Sequence, residues 1–89
     1  MKYPEVRNFI QGKFIDGLDR DKLAVISPID GVLLSTVLMS KSSDLDTAVS
    51  SSMEAFKTWG KTPIKERVQV FFRFKGLLEK NKKELAQLI

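Results

Sequence analysis

The sequence predicts an α+β fold: short antiparallel β-hairpin strands over residues 8–38, then two or three α-helices. Three observations carry this. Before residue 40 the apolar residues come in short, partly β-branched runs cut by Gly, Pro and Asp-Gly pairs. From Ser43 onward they recur at helical spacing, and Thr62-Pro63 marks a second helix start.

In chain order, Asn8-Phe9-Ile10-Gln11 and Lys13-Phe14-Ile15-Asp16 flank Gly12 and read as a first hairpin. A polar break from Gly17 to Lys22 follows, expected to stay in solvent. Leu23-Ala24-Val25-Ile26 is a strand that Ser27-Pro28 ends, because Pro28 removes a ladder donor and biases Ser27 to extended geometry. Asp30-Gly31 supplies a turn, and Val32 to Leu38 supplies the returning strand.

Ser43 with Asp46 three residues on fits a capping pattern, and Asp44 adds negative charge to the first turn. Leu45, Ala48, Val49, Met53, Phe56 and Trp59 then form one apolar stripe, placing a helix at about 44–59, with Gly60 expected to end it in a left-handed conformation. Thr62 as N-cap and Pro63 at the first helical position open a helix at about 63–80. Its apolar residues make two adjoining stripes: Ile64, Val68, Phe71, Phe72 and Leu78, beside Val70, Phe74 and Leu77. At 100° per residue they span roughly 220° of the circumference. A helix apolar over more than half its girth belongs between two layers, and one companion helix cannot cover it. Gly76 is expected to mark a close packing contact, and a third helix begins at about 82.

Composition narrows the chemistry. The 89 residues contain neither cysteine nor histidine, which excludes disulfides, thiolate metal sites and a Ser-His-Asp triad. No apolar run approaches a membrane span, and the start lacks the apolar stretch of a signal peptide, so a cytoplasmic location without membrane association is expected. The net charge is +4, and residues 57–83 hold nine of the fifteen basic residues against two acidic ones, Glu66 and Glu79. Such a segment reads first as a solvated helix face rather than a nucleic-acid surface.

The remaining candidates have simpler readings. Asp44 and Asp46 suit helix capping better than acid-base chemistry. Asp16, Asp19 and Asp21 have the spacing of calcium ligands, but the required glycine and distal glutamate are out of register. Phe56 with Trp59, and the basic aromatic stretch Arg67 to Lys75, read as core packing rather than a base-stacking platform or membrane face. The five glycines fit neither a Rossmann fingerprint nor a phosphate loop. No catalytic, cofactor-binding or metal-ligating residue is therefore assigned.

The order of these signatures resembles a known family. Asn8-Phe9-Ile10-Gln11-Gly12-Lys13-Phe14, Val25-Ile26-Ser27-Pro28 with Asp30-Gly31, Asp44 to Val49, and Ala55-Phe56-Lys57-Thr58-Trp59 are similar to the N-terminus of the aldehyde dehydrogenase superfamily. Arg67-Val68-Gln69-Val70, Arg73, Leu77-Leu78, Asn81 and Glu84-Leu85-Ala86 look most like the methylmalonate-semialdehyde dehydrogenase branch. The resemblance implies that residues 1–89 are one N-terminal fragment, cut before the cofactor-binding motifs. It implies a parent that oxidises an aldehyde or semialdehyde with NAD, or NADP, to an acid or, with coenzyme A, to an acyl-CoA. A Rossmann-like cofactor domain and an oligomeric assembly belong to that parent. The family's cysteine nucleophile, glutamate base, oxyanion asparagine and cofactor loop match no position here, so the fragment is expected to be inactive. The nearest functional feature is a monovalent-cation site of some members, matched by Val25-Ile26-Ser27-Pro28 with Ser in place of Asn; strand structure explains these residues better. The expected partner is the remainder of the parent, with self-association through exposed helix faces as a further expectation. The alternative is a stand-alone basic module that binds an acidic partner or nucleic acid.

Overall fold

The computed structural model describes residues 1–17 and 19–89, which form two compact units, Met1–Glu54 and Ala55–Ile89. Within the first unit, β1 (Phe9–Ile10) and β2 (Lys13–Phe14) pair antiparallel, with Phe9 opposite Phe14. Gln11 and Gly12 join them with φ of 56° and 78°. Two consecutive positive φ values make the tight turn whose twist suits a hairpin, and glycine adopts one of them without a Cβ penalty. The Phe9 and Phe14 rings meet edge to face at 5.1 Å, which adds an oriented aromatic contact to a ladder too short to hold itself.

The second hairpin joins β3 (Lys22–Ile26) to β4 (Leu33–Leu38), in antiparallel register from Lys22 opposite Leu38 to Ile26 opposite Leu33. A bulge between Val25 and Ile26 accommodates the extra residue on β4. Ser27 closes the loop: its N–H donates to the Val32 carbonyl and its carbonyl accepts from the Gly31 N–H, both at 2.9 Å. Gly31 makes that return with φ 75°.

The chain start forms a third, parallel edge. The N–H groups of Tyr3 and Val6 donate to the Leu34 and Thr36 carbonyls at 2.8 Å, and Leu38 N–H returns to Val6 at 3.1 Å. Side chains reinforce this edge: the buried Ser35 hydroxyl donates to the Pro4 carbonyl at 2.6 Å, and Thr36 donates to Glu5 at 3.0 Å. β4 is thus flanked on both sides. Pro4 is tolerated because its missing donor lies on an edge segment.

Beneath β4 sits the small apolar core. Leu38 is the one buried large hydrophobic among the described residues, 8% exposed. Gly17 packs against it so closely that a Cβ would lie 2.7 Å from the Leu38 Cδ1. The segment expected to stay in solvent therefore folds inward at Gly17 and Arg20, drawn by that close approach and by an ion pair described below; Leu18 lies outside the described residues.

Helix α1 (Ser42–Trp59) follows β4, and the division between the units falls inside it. It starts ahead of Ser43, and Asp44 rather than Asp46 caps it. The Asp44 carboxylate accepts from the Lys41 N–H at 2.7 Å, while its own N–H donates to the Lys41 carbonyl at 3.0 Å. Gly60 ends α1 without a left-handed φ; its N–H bonds the Phe56 carbonyl, and a Cβ would fall 2.7 Å from that oxygen and 2.8 Å from the Phe56 ring. Close approach, not conformation, calls for glycine there.

In the second unit, α2 (Ile64–Lys80) and α3 (Lys82–Leu88) are joined at Asn81. Pro63, with ψ 147°, is the N-cap residue rather than the first helical one, because the Thr62 hydroxyl turns back to the Thr58 carbonyl at 3.0 Å. Asn81 holds the joint: its N–H and its side-chain amide both donate to the Leu77 carbonyl, at 3.1 and 2.8 Å. No residue of α2 or α3 is buried.

Candidate functional site

Two places in the chain concentrate chemistry, one in each unit. The first is the joint between the polar turn and α1. Arg20 grips Asp44 with both guanidinium nitrogens: Nη1 donates to Oδ2, and Nη2 donates to Oδ1 at 2.7 Å. The pair is largely shielded, with side chains 16% and 11% exposed. Lys41 adds a looser contact to Asp19 at 3.8 Å. The Lys41 N–H first, and the Arg20 side chain second, hold the Asp44 carboxyl below the ordinary carboxylate range.

This geometry binds two chain segments rather than a ligand. Three donors, the Lys41 N–H and the two arms of the Arg20 guanidinium, hold Asp44 and leave about one of its four acceptor positions, so the carboxylate is committed to this clasp. Beside it runs a cleft of about 320 Å³ lined by Asn8, Phe9, Ile10, Ser40, Asp44, Leu45 and Ala48, bridged by Asn8 donating to Ser40 at 2.7 Å. Its only charged wall is the committed Asp44.

A second carboxylate knot lies on the sheet edge. Glu5 accepts from Lys22 at 2.8 Å, from Thr36 at 3.0 Å and from Arg7 at 3.3 Å. The Lys22 bond foremost, then Thr36 and Arg7, lowers its pKa. Asp16 pairs with the same Arg7 at 2.8 Å. The three spaced aspartates Asp16, Asp19 and Asp21 therefore do not converge: Asp16 faces Arg7 and Asp19 faces Lys41. Among the described residues, no group of three or more acidic side chains is placed to hold a metal ion. At Val25-Ile26-Ser27-Pro28 the main chain is engaged in β3 and its hairpin loop, with the Ser27 carbonyl already taken by Gly31.

The second place is the face of α2. Phe71, Phe72 and Phe74 are 66%, 61% and 55% exposed. With ~200 Å² per phenylalanine, these three rings alone leave roughly 350 Å² of apolar surface in water. Phe56 and Trp59, expected in a core, are exposed too, Trp59 at 42%. The residues have core character, but within the unit Ala55–Ile89 no second layer covers them. Trp59, Ile64, Arg67, Val68 and Phe71 line a groove of about 270 Å³. A further groove of about 310 Å³ runs along the α2–α3 joint between Phe74 and Leu88. Beyond the backbone of its own helix turn, no described atom lies within 4 Å of the place a Gly76 Cβ would take, so the close contact expected there is not made among the described residues.

None of the five glycines stands at a strand-to-helix junction, so the described residues offer no cradle for a dinucleotide pyrophosphate. What the arrangement provides is a shielded structural clasp and a wide uncovered apolar face.

Comparison with known proteins places these features in a family setting. The sequence model of the aldehyde dehydrogenase family matches residues 14–89. Malonate-semialdehyde dehydrogenase of Halalkalibacterium halodurans is 44% identical over 85 residues, covering 96% of this chain and 18% of that protein. Malonate-semialdehyde dehydrogenase 1 of Geobacillus thermodenitrificans is 38% identical, and malonate-semialdehyde dehydrogenase 2 of Bacillus cereus 37%, each over 84 residues. The chain spans 17–18% of the length of these relatives.

Proposed function

The chain belongs to the aldehyde dehydrogenase family, and on that premise we propose that it is the N-terminal structural piece of an NAD-dependent enzyme that oxidises an aldehyde or semialdehyde. The semialdehyde class is favoured by the relatives' names; NADP in place of NAD, and coenzyme A as acyl acceptor, stay within the proposal. The piece itself supplies no nucleophile, base or cofactor contact, and its role is to cover and brace the catalytic body of a cytoplasmic, oligomeric parent.

The single observation that supports this reading is the state of α2. Its apolar residues span most of its circumference, yet none is buried. An apolar face of that size in a folded protein marks a surface that another layer covers.

A chimera tests it. This chain replaces the matching 85 residues of the Halalkalibacterium halodurans enzyme, and reduction of NAD is followed spectroscopically with malonate semialdehyde. The chimera is expected to turn over while the 89-residue chain alone is not. A soluble, folded chimera without turnover, or turnover by the isolated chain, overturns the proposal.

A further inference from the structure

We propose that the surface covering α2 is an apolar polypeptide face carrying a carboxylate, and that this carboxylate docks on Arg67. The inference rests on the reading that protein covers α2, and adds the chemistry of what covers it.

Arg67 is the odd member of its helix. At 100° per residue it falls between Phe74 and Leu78, inside the apolar arc rather than on the polar side. The phenylalanines around it are exposed, whereas Arg67 is half-buried, and its Nε is shut off from solvent with no hydrogen-bond partner. Lys75 shares the arc but has Glu79 at 3.9 Å. Among the described residues Arg67 has no such counter-ion, and it forms one wall of the groove with Trp59, Ile64, Val68 and Phe71.

Covering this groove would strip the remaining water from the guanidinium. A buried, unpaired charge is among the most costly features an interface can contain, so the cover must bring an acceptor. Arginine presents a planar fork that a carboxylate fills with two parallel hydrogen bonds, whereas neutral acceptors fill it singly. The long-range field agrees, since residues 57–83 carry nine basic and two acidic side chains. A second copy of this face is a poor cover, because it would set Arg67 and its basic surroundings against their own kind. A bare polyanion fits no better, since it would leave the groove's tryptophan, phenylalanine and aliphatic walls in water.

Trp59 is the chain's sole tryptophan and lines the groove, so its emission reports occupancy directly. The 89-residue chain is titrated with a synthetic helical peptide bearing a leucine stripe flanked by glutamates, and with versions carrying glutamine or lysine instead. The glutamate peptide is expected to shift Trp59 emission to the blue and to bind about tenfold more tightly than the glutamine peptide. The lysine peptide is expected not to bind. Arg67→Gln should erase the glutamate preference and Arg67→Lys should keep part of it, with helix content checked by circular dichroism in both. Equal affinity for the glutamate and glutamine peptides, a preference that survives Arg67→Gln, or no binding by any peptide overturns the inference. So does displacement of the glutamate peptide by inorganic polyphosphate at equal charge concentration, which would make the site a bare anion site. Peptide binding and chimera turnover are read independently, so either can fail without the other.

Discussion

Replacing Gly17 with alanine tests whether the first unit is held by the close approach beneath β4. The new Cβ would sit 2.7 Å from the Leu38 Cδ1, and 2.9 and 3.3 Å from Cδ and Cγ of Arg20. Relaxed carbon contacts lie near 3.5–4.0 Å, so roughly 1 Å must be recovered. Leu38 is the buried apolar side chain of this unit, and swinging it aside exposes it. Arg20 cannot yield without slackening its grip on Asp44. Overpacking of this kind costs about 1–3 kcal/mol. Removing a glycine from the unfolded chain returns about 0.4–1 kcal/mol, and no left-handed φ at Gly17 changes that balance. The net expectation is a loss of about 1–2 kcal/mol. A small unit has only a few kcal/mol in reserve, so exchange of the backbone amides of Val25 and Leu38 should accelerate by about tenfold or more. Gly17→Ala with Leu38→Val removes the clashing methyl, and the pair should be less harmful than the sum of the single changes. Unchanged or slower exchange in Gly17→Ala, or strict additivity in the double variant, would refute the reasoning.

Gly76→Ala should have the opposite sign: open space around it and an α2 interior position predict about 0.5–1 kcal/mol of added helix stability, read as helicity at 222 nm. Gln11→Asn should strengthen the first hairpin by a few tenths of a kcal/mol, since asparagine tolerates the φ of 56° better, and the Phe9 and Phe14 amides should exchange more slowly. Asp44 and Glu5 both have pKa values lowered by folding, so their stabilisation is present above the ordinary carboxylate range and is lost as pH falls through the depressed folded values. Acid titration should loosen the Arg20–Asp44 clasp in that window, and Asp44→Asn should be destabilised at neutral pH with a flatter acid response, followed by amide exchange of Arg20 and Lys41.

Local chemistry made much of this fold readable. Asp30-Gly31, Gly12 and the Ser27-Pro28 stop each act within a few residues, and both hairpins follow from them. The helical periodicity from Leu45 to Trp59, and from Ile64 to Leu78, is likewise local. What escaped depends on distant partners. Tyr3 to Val6 joins the sheet through bonds to Leu34, Thr36 and Leu38, and a short stretch broken by Pro4 carries no pattern of its own. Arg20 and Asp44 stand 24 positions apart, so nothing near Arg20 announced that the polar turn would fold inward. That same tertiary grip moved the cap of α1 from Ser43 and Asp46 to Lys41 and Asp44. At the site level, the breadth of the apolar arc on α2 was legible from spacing, but the shielding of Arg67 within it was not, because it depends on side-chain placement beside Trp59.

The parallel edge also sets an order of events during synthesis. Tyr3 and Val6 leave the ribosome ahead of their hydrogen-bond partners, Leu34, Thr36 and Leu38, which are made some thirty residues later. Closing a loop of that length costs about 3 kcal/mol of chain entropy, which offsets most of what two or three edge hydrogen bonds return. The two hairpins, closing over far shorter spans, should therefore form beforehand and present β4 as a template. The edge segment made before the hairpins is then the strand fastened last, and Tyr3 to Val6 stay unpaired until β4 has emerged.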